Sequence, residues 1–119
     1  MISLHGGMNI FLCTRPTDMR KAYDGLCGEV CSYMQQDPQS GSLFVFVNKP
    51  RNRMKILVWD RHGFWLFCRR LEAGRFQRIS TIGASFSLGY EQLVMLLEGI
   101  DLERVNRRKR YIEISKEKT

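Results

Sequence analysis

The stretch that decides the fold runs Leu43-Phe44-Val45-Phe46-Val47-Asn48, Lys49-Pro50-Arg51-Asn52-Arg53, Met54-Lys55-Ile56-Leu57-Val58-Trp59-Asp60, Arg61-His62-Gly63, Phe64-Trp65-Leu66-Phe67-Cys68-Arg69-Arg70-Leu71. Three runs rich in aromatic and β-branched residues alternate with short turn-forming segments. Side chains of this kind suit a pleated, half-buried surface. The reading is an antiparallel meander whose turns and strand ends carry Arg and Lys. In the first run Phe44 and Phe46 alternate with Leu43, Val45 and Val47, so both faces are apolar and the strand is expected to be central. The second strand is placed at Met54 to Asp60, and Arg61-His62-Gly63 makes a tight hairpin. A fourth strand is expected at Phe76 to Ile79, followed by a polar loop from Ser80 to Phe86.

Outward from the meander the chain reads as α+β. Asn9 to Thr14 is a short strand closed by Arg15-Pro16. Thr17 is a good helix N-cap, and Asp18 meets the positive end of the helix dipole. Met19, Tyr23, Leu26, Val30 and Met34 step by three or four, the stripe of an amphipathic helix over Thr17–Gln36. Gly25 and Gly28 weaken that helix by roughly 1 kcal/mol each, which implies close packing or a bend. A second helix is expected at Gly89–Glu98, with Gly99 closing it and Ile100 making the contact that follows such a cap. Tyr111 to Ile114 alternates as a late strand would. The expectation is a single domain with a mainly antiparallel sheet of four or five strands and two principal helices, covering residues 1–102. A basic tail, residues 103–119, follows.

At 119 residues, 44% hydrophobic and 26% charged, the chain is long enough to bury a core without disulfides or metals. Its net charge of +7 favours an acidic partner: nucleic acid, an anionic membrane or an acidic protein face. The tail alone holds +4 of this. The first residues lack a signal-peptide pattern and no run reaches transmembrane length, so a cytoplasmic location with no membrane partner is expected. Cys13, Cys27, Cys31 and Cys68 are then free thiols, read as buried small apolar residues. No zinc-ligand spacing accompanies them, and no metal or other cofactor is expected.

Candidate chemistry is limited. A two-metal nuclease needs converging carboxylates, and Asp18, Asp24, Asp60, Glu72 and Asp101 have no spacing that compels convergence. No phosphate-binding glycine motif occurs. The basic clusters carry more. Arg15, Arg20 and Lys21 flank the first helix start, a phosphate seat if the helix begins there. Lys49, Arg51, Arg53 and Lys55 crowd the first hairpin, and Arg69, Arg70, Arg75 and Arg78 the last. Arg107, Arg108, Lys109 and Arg110 form a run in the tail. Such groups grip phosphates without reading sequence. Trp59 and Trp65 suit base stacking if exposed, but in apolar strands they are expected in the core. The rim is expected as two patches, because successive turns of a meander fall at opposite edges.

The motif order Arg-Pro-Thr-Asp-Met-Arg-Lys (15–21), Asp-Gly-Leu (24–26), Gly-Ser-Leu-Phe-Val-Phe-Val-Asn (41–48), Arg-x-Met-Lys-Ile-Leu-Val-Trp-Asp (53–60), Gly-Phe (63–64), Arg-Leu-Glu-Ala-Gly-Arg-Phe (70–76) and Leu-Leu-Glu-Gly-Ile-Asp (96–101) resembles the small accessory protein of insertion sequences of the sixty-six type, often called TnpB. The resemblance spans roughly residues 2 to 102 and departs at Gly89-Tyr90, where the family usually has threonine and proline. It implies a non-enzymatic role in transposition of a mobile element, beside a separate, larger transposase that carries the nuclease chemistry. It implies no active site here. Three readings follow: an accessory module that binds DNA, the transposase or both; a pure protein-interaction adaptor; and a metal-dependent nuclease.

Overall fold

The structure is a computed structural model that describes residues 7–78 and 82–99. Five strands and two helices follow the order β1 (Ile10–Cys13), α1 (Tyr23–Ser32), β2 (Leu43–Val47), β3 (Arg53–Trp59), β4 (Phe64–Arg70), β5 (Ser85–Leu88), α2 (Tyr90–Glu98). The strands form one sheet in the order β4-β3-β2-β1-β5. The α+β expectation holds, and three of the four pairings are antiparallel. The fourth is parallel: β1 runs beside β2 in the register Ile10↔Leu43 to Leu12↔Val45. A parallel pair needs a long crossover, and α1 lies in it.

Alternation along each strand splits the core into two layers. Leu43 and Val45 join Ile10, Leu12, Ile56, Leu88, Leu93 and Leu96 on the α2 side. Phe44 and Phe46 join Leu57, Leu26, Val30 and Met34 on the α1 side. Leu43 to Phe46 are all at most 1% exposed, so β2 is the doubly covered central strand its composition implies. Phe11 stacks on Phe44 across the β1–β2 pair, with centroids 6.1 Å apart.

Several sequence expectations are corrected. The first helix spans ten residues rather than Thr17–Gln36. Thr17 does not cap it; its backbone N–H donates to the Val47 carbonyl, prolonging the β1–β2 association past both strands. The Lys55 ammonium then donates to the Met19 and Lys21 carbonyls at 2.7 Å each. With the Thr17 N–H and the Met19 and Lys21 carbonyls engaged by β2 and β3, this segment stays out of the helix, which begins after Ala22. The far end opens where Met34 N–H reaches back to Glu29 and Gln36 N–H to Val30, with Gln35 at φ 53°. Tyr23 falls outside the buried stripe. Gly25 is covered by the Lys21 stem, whereas Gly28 faces open space.

The strand expected at Phe76–Ile79 is absent over its described residues. Phe76 is buried and its N–H donates to the Arg51 carbonyl, which folds the chain back across the sheet end. Ile79, Ser80 and Thr81 lie outside the described residues, as do Ile100 and the alternation at Tyr111–Ile114. The loop expected up to Phe86 instead yields β5, whose serines give little intrinsic strand signal. Its register Ile10↔Leu88 to Cys13↔Ser85 shows that pairing with β1 makes it a strand. Among the thiols only Cys13 is buried, and burial pushes its pKa up; Cys31 and Cys68 are exposed. No helix among the described residues is long and apolar enough to cross a membrane.

Candidate nucleic-acid interface

The parallel β1–β2 pair decides where the cations go. Both strands point their carboxyl ends the same way, so Arg15 emerges beside Asn48 and Lys49. Strand β3 runs back, and β4 returns to the same end, where Arg53 pairs with Arg70 and Met54 with Arg69. The segment after β4 is tied there by Leu71 N–H to Asn52 and Phe76 N–H to Arg51, which adds Arg75 and Arg78. Arg61, in the β3–β4 hairpin, lies at the opposite end.

The β2–β3 turn is built by Asn48. Its Oδ1 accepts from the Asn52 and Arg53 backbone N–H groups at 3.0 and 3.1 Å, and its amide donates to Asn52 Oδ1. Arg51 consequently sits at φ 61°, a left-handed conformation costly for a residue with a Cβ. Two clefts flank this turn. One, of about 270 Å3, has a floor of Leu12, Cys13 and Val47 and a rim of Arg15, Lys49, Arg51 and Arg78, with no carboxylate in its lining. The other, of about 500 Å3, is lined by Arg53, Lys55, Arg69 and Arg70 with Glu72 as its one carboxylate.

The carboxylates sort these cations into two groups. Glu29, buried on α1, accepts from Arg15 through Nε at 3.1 Å and Nη2 at 2.8 Å, and from Lys21 Nζ at 2.8 Å. The Arg15 fork, aided by Lys21, holds the Glu29 carboxyl below its ordinary pKa against the opposing effect of burial. The Arg15 guanidinium also lies 3.9 Å from the Tyr33 ring centroid. Arg20 pairs with Asp18, whose pKa its hydrogen bonds lower to about 2, and Arg70 pairs with Glu72. By contrast Lys49, Arg51, Arg53 and Arg69 form no ion pair among the described residues. Arg53 and Arg70 are directly opposite each other across the β3–β4 pair, where like charges repel. An anion placed there would relieve that repulsion.

The cations singled out in the sequence therefore separate. Arg15 and Lys21 share Glu29 in place of forming a helix-start phosphate seat, and Arg20 turns to Asp18. Lys49, Arg51, Arg53, Arg69 and Arg70 are brought together at one sheet end. Arg107, Arg108, Lys109 and Arg110 lie outside the described residues. Lys55, counted with the hairpin cluster, is a structural cation bound to two carbonyls. Glu29 organises Arg15 and Lys21, and its one mark in the sequence is a carboxylate between Leu26 and Val30 on the apolar stripe. Among the described residues the carboxylates do not converge: Asp60 closes the hairpin at one end of β4 and Glu72 follows the other end, while Asp101 lies outside them. Among the described residues no group of three metal-ligating side chains forms. A nuclease built on Asp18, Asp60 and Glu72 does not fit this geometry.

Comparison with known proteins matches the sequence of this chain to a family model. No solved structure matches the chain. Two relatives from Sinorhizobium fredii (strain NBRC 101917 / NGR234) cover nearly all of it. The uncharacterized protein y4jC is 32% identical over 108 residues, 91% of this chain and 92% of its own length. The uncharacterized protein y4hO is 35% identical over 100 residues, 82% of this chain and 87% of its own length. The family model described as IS66 Orf2 like protein matches residues 8–107, every described strand and helix included. The chain thus belongs to the IS66 Orf2-like family, a family of accessory proteins of insertion-sequence transposition.

Proposed function

We propose that this protein is a non-catalytic accessory factor that grips DNA of its mobile element at the basic sheet end and works beside the larger transposase. The observation that carries this reading is the gathering of Lys49, Arg51, Arg53 and Arg69 without carboxylate partners among the described residues, next to a cleft lined by four cations and no acid. Clustered like charges destabilise a fold unless a counter-charge arrives. A phosphate backbone supplies that charge at a regular spacing and releases its own counterions on binding. Basic side chains on turns recognise the backbone, so the grip is tolerant of sequence.

Binding of a duplex to the full chain, followed by fluorescence anisotropy across a salt series, tests this. Neutralising four phosphates predicts a log–log salt slope of about −3.6. The Lys49→Ala/Arg51→Ala/Arg53→Ala/Arg69→Ala variant is expected to lose most of that slope. No binding at low salt, together with unimpaired transposition by that variant, would refute the DNA grip. Capture of the transposase from a nuclease-treated mixture in high salt would then favour the adaptor reading.

A further inference from the structure

Strand β4 presents an aromatic stripe that neither helix covers. Trp65 and Phe67 are 42% and 46% exposed, contrary to the core placement expected of aromatics in this meander. Alternation puts them on the same strand face as Arg69. Their cross-strand partners Val58 and Ile56 are buried on the same face, so the packed core adjoins the stripe along its inner side. The two rings are nearly parallel, 14° apart in plane, with centroids separated by 6.2 Å. The indole is held in place: Trp65 Nε1–H donates to Asp60 Oδ2 at 2.6 Å, while Asp60 Oδ1 accepts from the His62 and Gly63 backbone N–H groups. With its polar edge engaged, Trp65 offers only π surface. Strand β4 is the outermost strand on its side of the sheet.

We propose that this stripe is a stacking platform for unpaired nucleic-acid bases, so that the DNA gripped at the basic end is single-stranded where it crosses β4. The proposal rests on the DNA reading above. Every base has a π face, so stacking on rigid aromatic rings is sequence-tolerant, and the phosphates need cations alongside. Both requirements meet here, because the stripe runs into Arg69 at the basic sheet end, where Arg53 and Arg70 extend from the opposite strand face. A duplex hides its base faces and can use only the cations. A protein segment is the other conceivable occupant of exposed rings. The cationic end of the stripe favours a polyanion, and the nearby carboxylate, Asp60, is already engaged by Trp65.

The test follows Trp65 fluorescence in a Trp59→Phe background of the full chain. It compares a short oligothymidylate with a mixed-sequence duplex of equal length. Quenching by the single strand and not by the duplex is expected. Trp65→Ala/Phe67→Ala should weaken single-strand binding by at least roughly fivefold. Unchanged duplex binding by the same variant shows that it folds. Trp65→Leu/Phe67→Leu, which keeps apolar area without rings, should lose as much, and Trp65→Phe/Phe67→Tyr should restore binding. Single-strand affinity that survives the alanine or leucine pairs overturns the platform, as does equal quenching by both probes. Absence of any binding at low salt removes the DNA grip and the platform together; salt-steep duplex binding without single-strand quenching removes the platform alone. A variant that keeps single-strand binding but loses nuclease-resistant capture of the transposase identifies the stripe as a protein contact, which overturns the proposal.

Discussion

Arg51 shows how one residue couples strain to charge. It sits at φ 61° because Asn48 closes the turn around it, and its carbonyl receives the Phe76 N–H at 2.7 Å. Glycine would adopt that backbone without a Cβ penalty. Arg51→Gly is therefore expected to leave stability unchanged or raise it by up to about 1 kcal/mol, while weakening duplex binding. Urea midpoints and anisotropy read the two effects separately. Gly99 is the converse case. At φ 75° and ψ 174° it occupies a region essentially reserved for glycine, and an added Cβ would lie 2.5 Å from Leu71 Cδ1. Gly99→Ala should cost about 1–3 kcal/mol, measurable by urea denaturation. That glycine ends the helix was legible in the sequence. That Leu71 packs against it was not, since the two residues meet only when the chain folds back over the sheet end.

Among the elements, β5 and α1 depart most from local expectation, for one reason. Both are defined by partners distant in sequence. Ser85 and Ser87 have weak strand preference, yet the pairing of Ser87 with Phe11 and of Phe86 with Leu12 imposes the extended form. Raising local preference at the exposed position should help, so Ser87→Thr is expected to stabilise by about 0.5 kcal/mol in thermal unfolding. The first helix starts late because Thr17 and the Met19 and Lys21 carbonyls are claimed by β2 and β3. Leu26, Val30 and Met34 are buried as their spacing implies. Periodicity identified the helix, and tertiary hydrogen bonds set its beginning.

At the scale of the molecule, buried Glu29 joins α1 to the end of β1 through Arg15 and to the preceding segment through Lys21. Its folded pKa lies below its ordinary value of 4.5. A depressed carboxyl contributes stability that is fully present above the unfolded pKa and lost as pH falls through the folded one. Asp18 and Asp60 shift in the same direction, Asp18 by its Arg20 hydrogen bonds and Asp60 chiefly by the Trp65 N–H. The fold should therefore weaken progressively as pH drops below about 4.5. Glu29→Gln should cost about 1–2 kcal/mol at neutral pH, less than for a fully buried pair, because Arg15 and Lys21 are 48% and 39% exposed and can rehydrate. The difference from the native chain should vanish in acid, as urea melts across pH will show. The same variant releases two cations toward the basic end and is expected to bind duplex more tightly.

The sequence by itself determined which side chains are buried in the central strand, that Leu26, Val30 and Met34 face the core, where the turns of the meander fall, and which family the chain belongs to. These follow from local periodicity, turn chemistry and motif order, all of which involve residues close along the chain. Only the tertiary structure decided that β1 lies parallel to β2, that β5 is a strand, and that Arg15 and Lys21 are neutralised by Glu29 while Lys49, Arg51, Arg53 and Arg69 meet no carboxylate among the described residues. It also placed Trp65 and Phe67 at a sheet edge that neither described helix covers. Strand order and side-chain pairing depend on contacts between distant residues, and a strand apolar on both faces carries no mark of which neighbour will cover it.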